Sequence, residues 1–319
     1  VKKSLQFALS ALVLAVLLVF FVDVEETWQT LQRLDPRWAV AGLFLMTVDR
    51  LLMTYKWLLL LGIRGYSLPL LDATALYCRA MIWGLALPST VGADAIRTLL
   101  ATRRGVRASD AVSSIVVERA IGFLTALALA IFSLAILDYY WPEVDRYGLL
   151  PLCALALSAG LLLLVFSFNH RAFTLLERMV PARWHGSMIM RRLENLHEAY
   201  RSLGAQRSVL VWFTVLTLLE QLITFPFTWV VAKGLGLEIP FVTILIAMPL
   251  AILISRLPVT FDGIGIFEAI IIAVLAQAGV NPAQGLALAL ASRVIVLLAL
   301  LPWFVTYGAR DGSLRARSP

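Results

Sequence analysis

Long apolar runs recur along almost the whole chain, over residues 5–22, 38–61, 66–87, 108–137, 149–168, 209–231, 239–257, 263–278 and 283–307. A helix needs about 20 apolar residues to cross roughly 30 Å of hydrocarbon. Strands are a poor alternative, because lipid-exposed sheet edges leave backbone groups unpaired. The composition agrees: 61% of the 319 residues are hydrophobic and 15% charged, against about half and about a quarter in soluble domains. The expected fold is an all-α polytopic membrane protein, a single membrane domain over residues 1–319.

The same numbers remove several function classes. Two cysteines, Cys78 and Cys153, and three histidines, His170, His185 and His197, form no disulfide framework and no metal-ligand spacing, so no metal or cofactor is expected. A net charge of +7 fits an excess of Arg and Lys on cytoplasmic loops, and no nucleic-acid partner is expected. The first run follows Lys2 and Lys3 like a secretory signal. It is longer than a signal core and lacks a small-x-small site before Asp23, which makes it an uncleaved first span.

Charges between the runs set the topology. With a cytoplasmic N-terminus, residues 38–61 return to Arg64, and the next flank carries Arg97, Arg103, Arg104 and Arg107. Both flanks read as cytoplasmic, so the run between them goes in and returns on the same side. Its break falls at Leu87-Pro88-Ser89-Thr90-Val91-Gly92, where proline removes a donor and glycine loosens the backbone. Residues 108–137 then cross to an acidic loop, and 149–168 return to a basic amphipathic cytoplasmic segment, 169–208. A second broken pair, interrupted at Leu257-Pro258-Val259-Thr260-Phe261-Asp262, starts from outside, and the last span ends before Arg310, Arg315 and Arg317. Only Arg33, Arg37, Arg146 and Lys233 fall outside. The expectation is about six transmembrane helices plus two re-entrant hairpins, with both termini cytoplasmic in the inner membrane.

The hairpins resemble one another. Leu87-Pro88-x-Thr90 recurs as Leu257-Pro258-x-Thr260, and Gly105-Val106 as Gly279-Val280. Arg119 follows Gly105 by 14 residues, as Arg293 follows Gly279. Two repeats, about 66–137 and 239–307, would enter from opposite sides and so be inverted, a transporter architecture. At each break the outgoing helix begins inside the membrane, where its free N–H groups and positive dipole end favour an anion. Gly92, Gly263 and Gly265 allow close approach, and Thr90, Asp94, Thr260 and Asp262 are potential caps.

Arg119 and Arg293 each lie about ten residues into a span, roughly 15 Å deep. Glu118, Glu220, Asp49, Arg50, Arg256 and Glu268 sit at comparable depth. At about 2.5 to 3.5 kcal/mol per charge, such residues face a protein interior or a wet cavity. Pairing merely to neutralise burial is the alternative for each of them, and Lys56 is near enough to the cytoplasmic end to snorkel.

The segment from Leu87 to Arg97, then Arg103-Arg104-Gly105, Lys56-Trp57, Glu118-Arg119, and Leu257-Pro258 followed by Phe261-Asp262-Gly263-Ile264-Gly265-Ile266-Phe267-Glu268, resembles the flippase-like, or lysylphosphatidylglycerol synthase transmembrane-region, family. That family is named after the membrane domain of the multiple peptide resistance factor. The chain departs from its pattern at Ala93 (commonly Gly), at Trp83-Gly84 (commonly with an Asn nearby) and at Gly122 (commonly Asp). No aminoacyl-transferring segment follows Arg310, so lipid aminoacylation is not expected. The resemblance implies movement of a phosphorylated lipid between leaflets: an anionic or aminoacylated phospholipid, or a polyprenyl-phosphate-linked sugar. Arg119 and Arg293, with the helix starts after Pro88 and Pro258, would hold the phosphate, and Glu118 and Glu268 would balance the arginines when it is absent. The alternatives are a membrane enzyme acting on a lipid-linked sugar or phosphate, and a scaffold for a lipid-modifying enzyme.

Overall fold

A computed structural model describes residues 2–85, 92–141, 148–168, 188–256, 260 and 263–306, and it is all-helical there. The helices are α1 (Lys2–Val16), which runs on as a π-helical turn through Phe21, α2 (Val24–Gln32), α3 (Pro36–Ile63), α4 (Leu70–Leu85), α5 (Gly92–Thr102), α6 (Ala108–Tyr140), α7 (Leu149–Ser167), α8 (Met188–Ala205), α9 (Arg207–Gly234), α10 (Phe241–Ser255), α11 (Ile266–Gln277) and α12 (Pro282–Thr306).

Among the described residues four helices are long and apolar enough to cross a membrane, those at residues 108–140, 149–167, 207–234 and 282–304, and the bent pair formed by α1 and α2 makes a fifth if it counts as one span. That pair turns by 94° because Asp23 stops one helix and starts the next, its carboxylate accepting from the amides of Glu25 and Glu26. α3 is 28 residues long, about 42 Å, but its middle carries Asp49, Arg50 and Lys56, all buried. α7 buries no residue of its own, and its main neighbour is α6.

The helices correspond in order across the two halves. α3 and α9 are both 28 residues long, and each ends at a glycine of positive φ, Gly65 (80°) and Gly236 (71°). The next amide then reaches back five residues, Tyr66 to the carbonyl of Leu61 and Leu237 to that of Ala232. α5 and α11 finish in the same way at Gly105 (86°) and Gly279 (78°), with Val106 donating to Ala101 and Val280 to Leu275. The repeated Gly-Val pairs are therefore two copies of one helix end. The neighbours correspond too: α3 packs on α4 and α9 on α10, α5 on α6 and α11 on α12, α6 on α10 and α12 on α4, while α3 and α9 form the most extensive pairing.

The largest core lies where α3, α9, α10, α11 and α12 meet, around Met46, Phe225, Val231, Ile246, Leu275 and Ile295. A second core joins α3 to the first hairpin and α6 through Trp57, Leu61, Leu76, Tyr77 and Ala101. Helix α8, from the basic segment, lies against α6: Leu203 packs with Val117, Ile121 and Phe213, and the Ser113 hydroxyl donates to the Leu196 carbonyl.

Candidate functional site

Next to the second core lies a cluster of four charged side chains, Asp94, Arg97, Glu118 and Arg119. α5 begins at Gly92 and places Asp94 in its first turn. Arg119, on α6, grips that carboxylate with Nη2 at 2.7 Å and Nε at 2.9 Å. One turn on, Arg97 donates to Glu118 at 2.9 Å and lies 3.5 Å from Asp94. The Tyr77 hydroxyl donates to the other oxygen of Glu118 at 2.7 Å. The Arg97 guanidinium lies 4.4 Å from the centroid of Tyr77 and 5.3 Å from that of Trp57, and the Trp57 indole donates to Ser114. Arg97 is thus buried, sandwiched and charge-paired, a fixed part of the site. Arg119 instead keeps 58% of its side-chain surface exposed.

Two small residues shape this cluster. A methyl at Gly84 would stand 2.5 Å from the Ala93 methyl, so α4 and α5 meet with no space between them. A Cβ at Gly122, one turn beyond Arg119 on α6, would stand 2.9 Å from Nη1 of Arg256, which ends α10. Arg256 is exposed, and among the described residues no carboxylate lies within ion-pair distance of it. The charged and polar groups whose fields reach it are Glu220, Arg119, Glu118 and Tyr77. Glu220 is already engaged by Lys56, and Gln221 beside it clamps α9 to α6 by donating to the Gly122 carbonyl and to Thr125. Asp49 pairs with its neighbour Arg50 at 2.6 Å.

The second hairpin contains a counterpart. Glu268 occupies the first turn of α11 and accepts from Arg293 of α12, and the spacing is the 25 residues that separate Asp94 from Arg119. Glu268 also accepts from the Gly265 amide at 2.7 Å, and the Arg293 guanidinium lies 5.4 Å from the centroid of the Phe267 ring. Gly263 and Gly265 adopt φ of 70° and 87°; Gly263 is pressed against Ser255 and Gly265 against Val13 and the Ser10 carbonyl of α1. Among the described residues the buried hydroxyls of Thr260 and Ser292 have no hydrogen-bond partner. Ser292 stands where the first half has Glu118.

These positions revise the residue roles read from sequence. Glu268 balances Arg293, but Arg119 is held by Asp94, and Glu118 serves Arg97 and Tyr77. Among the described residues Asp94 accepts from arginine side chains, and the Thr260 hydroxyl makes no capping hydrogen bond. Lys56 does not snorkel: it is buried against Glu220, Thr217 and the Phe213 ring. Gly92 is buried at the start of α5. Pro88, Thr90, Pro258 and Asp262 lie outside the described residues. Tyr77, Trp57 and the Gly122–Arg256 contact had no role in the sequence reading. The Lys56-Trp57 pair and the unusual Gly122 were the available signals.

Chemically, three arginines, Arg97, Arg119 and Arg256, face two carboxylates not already committed elsewhere, Asp94 and Glu118, among the described residues. Two of the cations are exposed. Such a surplus inside an apolar bundle favours a bound anion, and guanidinium forks suit phosphate or carboxylate oxygens. A search of curated proteins found no match. Over residues 6–303 the chain matches the family model described as the lysylphosphatidylglycerol synthase TM region, and it belongs to that family of multi-pass, lipid-related membrane proteins.

Proposed function

We propose that this protein moves a phosphorylated lipid between the leaflets of the cytoplasmic membrane, with Arg119 and Arg256 holding the headgroup phosphate. The observation that carries this reading is the contact of Arg256 with Gly122, one turn beyond Arg119 on α6, which brings together two exposed arginines from opposite halves of the chain, Arg256 having no carboxylate within ion-pair distance among the described residues. A headgroup bound there leaves its acyl chains in hydrocarbon. The α6 arginine is released to the phosphate as Asp94 keeps its contact with Arg97. Arg97, Glu118, Tyr77 and Trp57 form the rigid wall. No acid–base role is proposed for the carboxylates, since Asp94, Glu118, Glu220 and Glu268 are each engaged by a cation.

In this reading α4–α5 and α10–α11 are re-entrant hairpins of two inverted repeats, both termini are cytoplasmic, and α3 is the sixth span with its charges turned inward. The matched helix lengths, helix ends, neighbour pairings and acid–arginine pairs support it, and they widen each repeat to include α3 and α9. Rocking of one half against the other then exposes a site between them to each leaflet in turn.

The test is reconstitution in vesicles containing headgroup-labelled anionic phospholipid, with an impermeant quencher reporting transfer between leaflets. Arg256→Ala and Arg119→Ala should each sharply slow transfer of the anionic lipid while the proteins still insert and elute as wild type. Wild-type transfer in the double variant would reject the assignment.

A further inference from the structure

We infer that the site selects headgroups of net negative charge and rejects those whose phosphate is balanced by an amine, and that Gly122 sets this preference. The inference rests on the transporter reading above and specifies its substrate class.

Every described carboxylate near the site is committed: Asp94 to Arg119 and Arg97, Glu118 to Arg97 and Tyr77, Glu220 to Lys56. Of the three arginines at the site, Arg256 has no carboxylate within ion-pair distance among the described residues. Its guanidinium occupies the notch left by the missing side chain of Gly122, with Nη1 2.9 Å from where a Cβ would stand. Residue 122 follows Arg119 by three positions, so both lie on one face of α6. An anion bridging Arg119 and Arg256 therefore sits directly over Gly122. The ammonium of an ethanolamine or aminoacyl headgroup would enter the same space, between two guanidiniums and with no uncommitted carboxylate among the described residues. Like charges at that separation repel, so the amine-bearing headgroup is disfavoured there.

An aspartate at position 122 would place a carboxylate against Arg256 and cancel the surplus cation. Asparagine would occupy the same volume without charge. The pair separates displacement of Arg256 from neutralisation of it.

The experiment compares transfer of labelled phosphatidylglycerol, phosphatidylethanolamine and lysylphosphatidylglycerol in vesicles, by the wild type and by Gly122→Asp, Gly122→Asn and Arg256→Gln. The wild type should move phosphatidylglycerol about tenfold faster than either amine-bearing lipid. Gly122→Asp and Arg256→Gln should erase that ratio, and Gly122→Asn should slow transfer while keeping it. Arg256→Gln leaves α6 untouched, so the test holds even where a position-122 variant does not fold. A wild type that moves the amine-bearing lipids as fast as phosphatidylglycerol overturns the inference and leaves the transporter standing, as does a ratio unchanged by Gly122→Asp and Arg256→Gln. A wild type that moves none of the three overturns both.

Discussion

In the region α4–α6, Arg119 shares Asp94 with a second arginine and keeps 58% of its side-chain surface exposed; in α10–α12, Arg293 has Glu268 to itself and is 31% exposed. The backbone framework is common to both: an acid in the first turn of the outgoing helix, an arginine 25 residues later on the long span, and a glycine ending between them. The surroundings diverge. Where the first half has Arg97 and Glu118, the second has Ile271 and Ser292 at the corresponding places, 174 residues on. What the halves share is a self-neutralising brace, and what is peculiar to the first is a second acid–arginine pair, Arg97 and Glu118. The shared arginine looked from sequence like the ligand; in the reading proposed above, Arg256 of α10 joins Arg119 at the phosphate.

The sharpest way to break this comparison is to remove the two equivalent arginines separately. Arg293→Ala leaves Glu268, only 1% exposed, as a buried uncompensated carboxylate, which costs about 3–5 kcal/mol. Arg119→Ala leaves Asp94 beside Arg97 and removes an exposed side chain, for a loss of about 0–1 kcal/mol. Thermal unfolding in detergent should therefore show a large drop for the first and little change for the second, while transfer assays rank them by headgroup binding. Equal destabilisation would mean that the two pairs are the same device and that the asymmetry has no functional content.

The hairpin crossings offer a second test of smaller size. A Cβ at Gly84 would lie 2.7 Å from the Ala93 Cα and 2.8 Å from its backbone nitrogen, atoms that cannot rotate away. Gly84→Ala should cost about 1–3 kcal/mol through overpacking, and adding Ala93→Gly should recover only part, because the backbone contacts remain. Gly62→Ala, which meets nothing within 4 Å, is the control, and its unfolding temperature should not fall. Full recovery by Ala93→Gly would show that only the methyl groups set the helix approach.

Much of this was legible in the chain. Apolar runs gave the helices, and the repeated Gly-Val pairs marked two identical helix ends because a positive-φ glycine is a local backbone requirement. The acid–arginine braces were half legible: the arginines stood out by spacing, while Asp94 looked like a cap because a first-turn carboxylate usually is one. Partner choice was not legible. Whether Lys56 snorkels or pairs depends on where α9 puts Glu220, and Arg256 reaches α6 where Gly122 leaves room for it. The bend after Phe21 was also hidden, since residues 5–22 and the polar turns of α2 read as a span and a loop. These are contacts between distant segments, and no local period encodes them.

The smallest effect sharpens the comparison at the other end of the halves. After the matched glycines Gly65 and Gly236, one half continues with Tyr66 and the other with Leu237, both with the same backbone hydrogen bond. Leu237 is 6% exposed and packs into the main core. Tyr66 instead donates its hydroxyl to Asp110 at 2.6 Å and accepts from the Arg107 amide at 3.1 Å, fastening the end of α3 to the start of α6. Asp110 keeps its ion pair with Arg64 at 2.9 Å when the hydroxyl is removed. Tyr66→Phe should therefore cost only about 1 kcal/mol, against about 2–5 kcal/mol for Leu237→Ala, both read as shifts in unfolding temperature. The same turn is held by a polar latch in the half that carries the second acid–arginine pair and by apolar packing in the half that does not. A Tyr66→Phe loss as large as that of Leu237→Ala would place the latch within the fold's common framework, and the difference between the halves would then rest on Arg97 and Glu118.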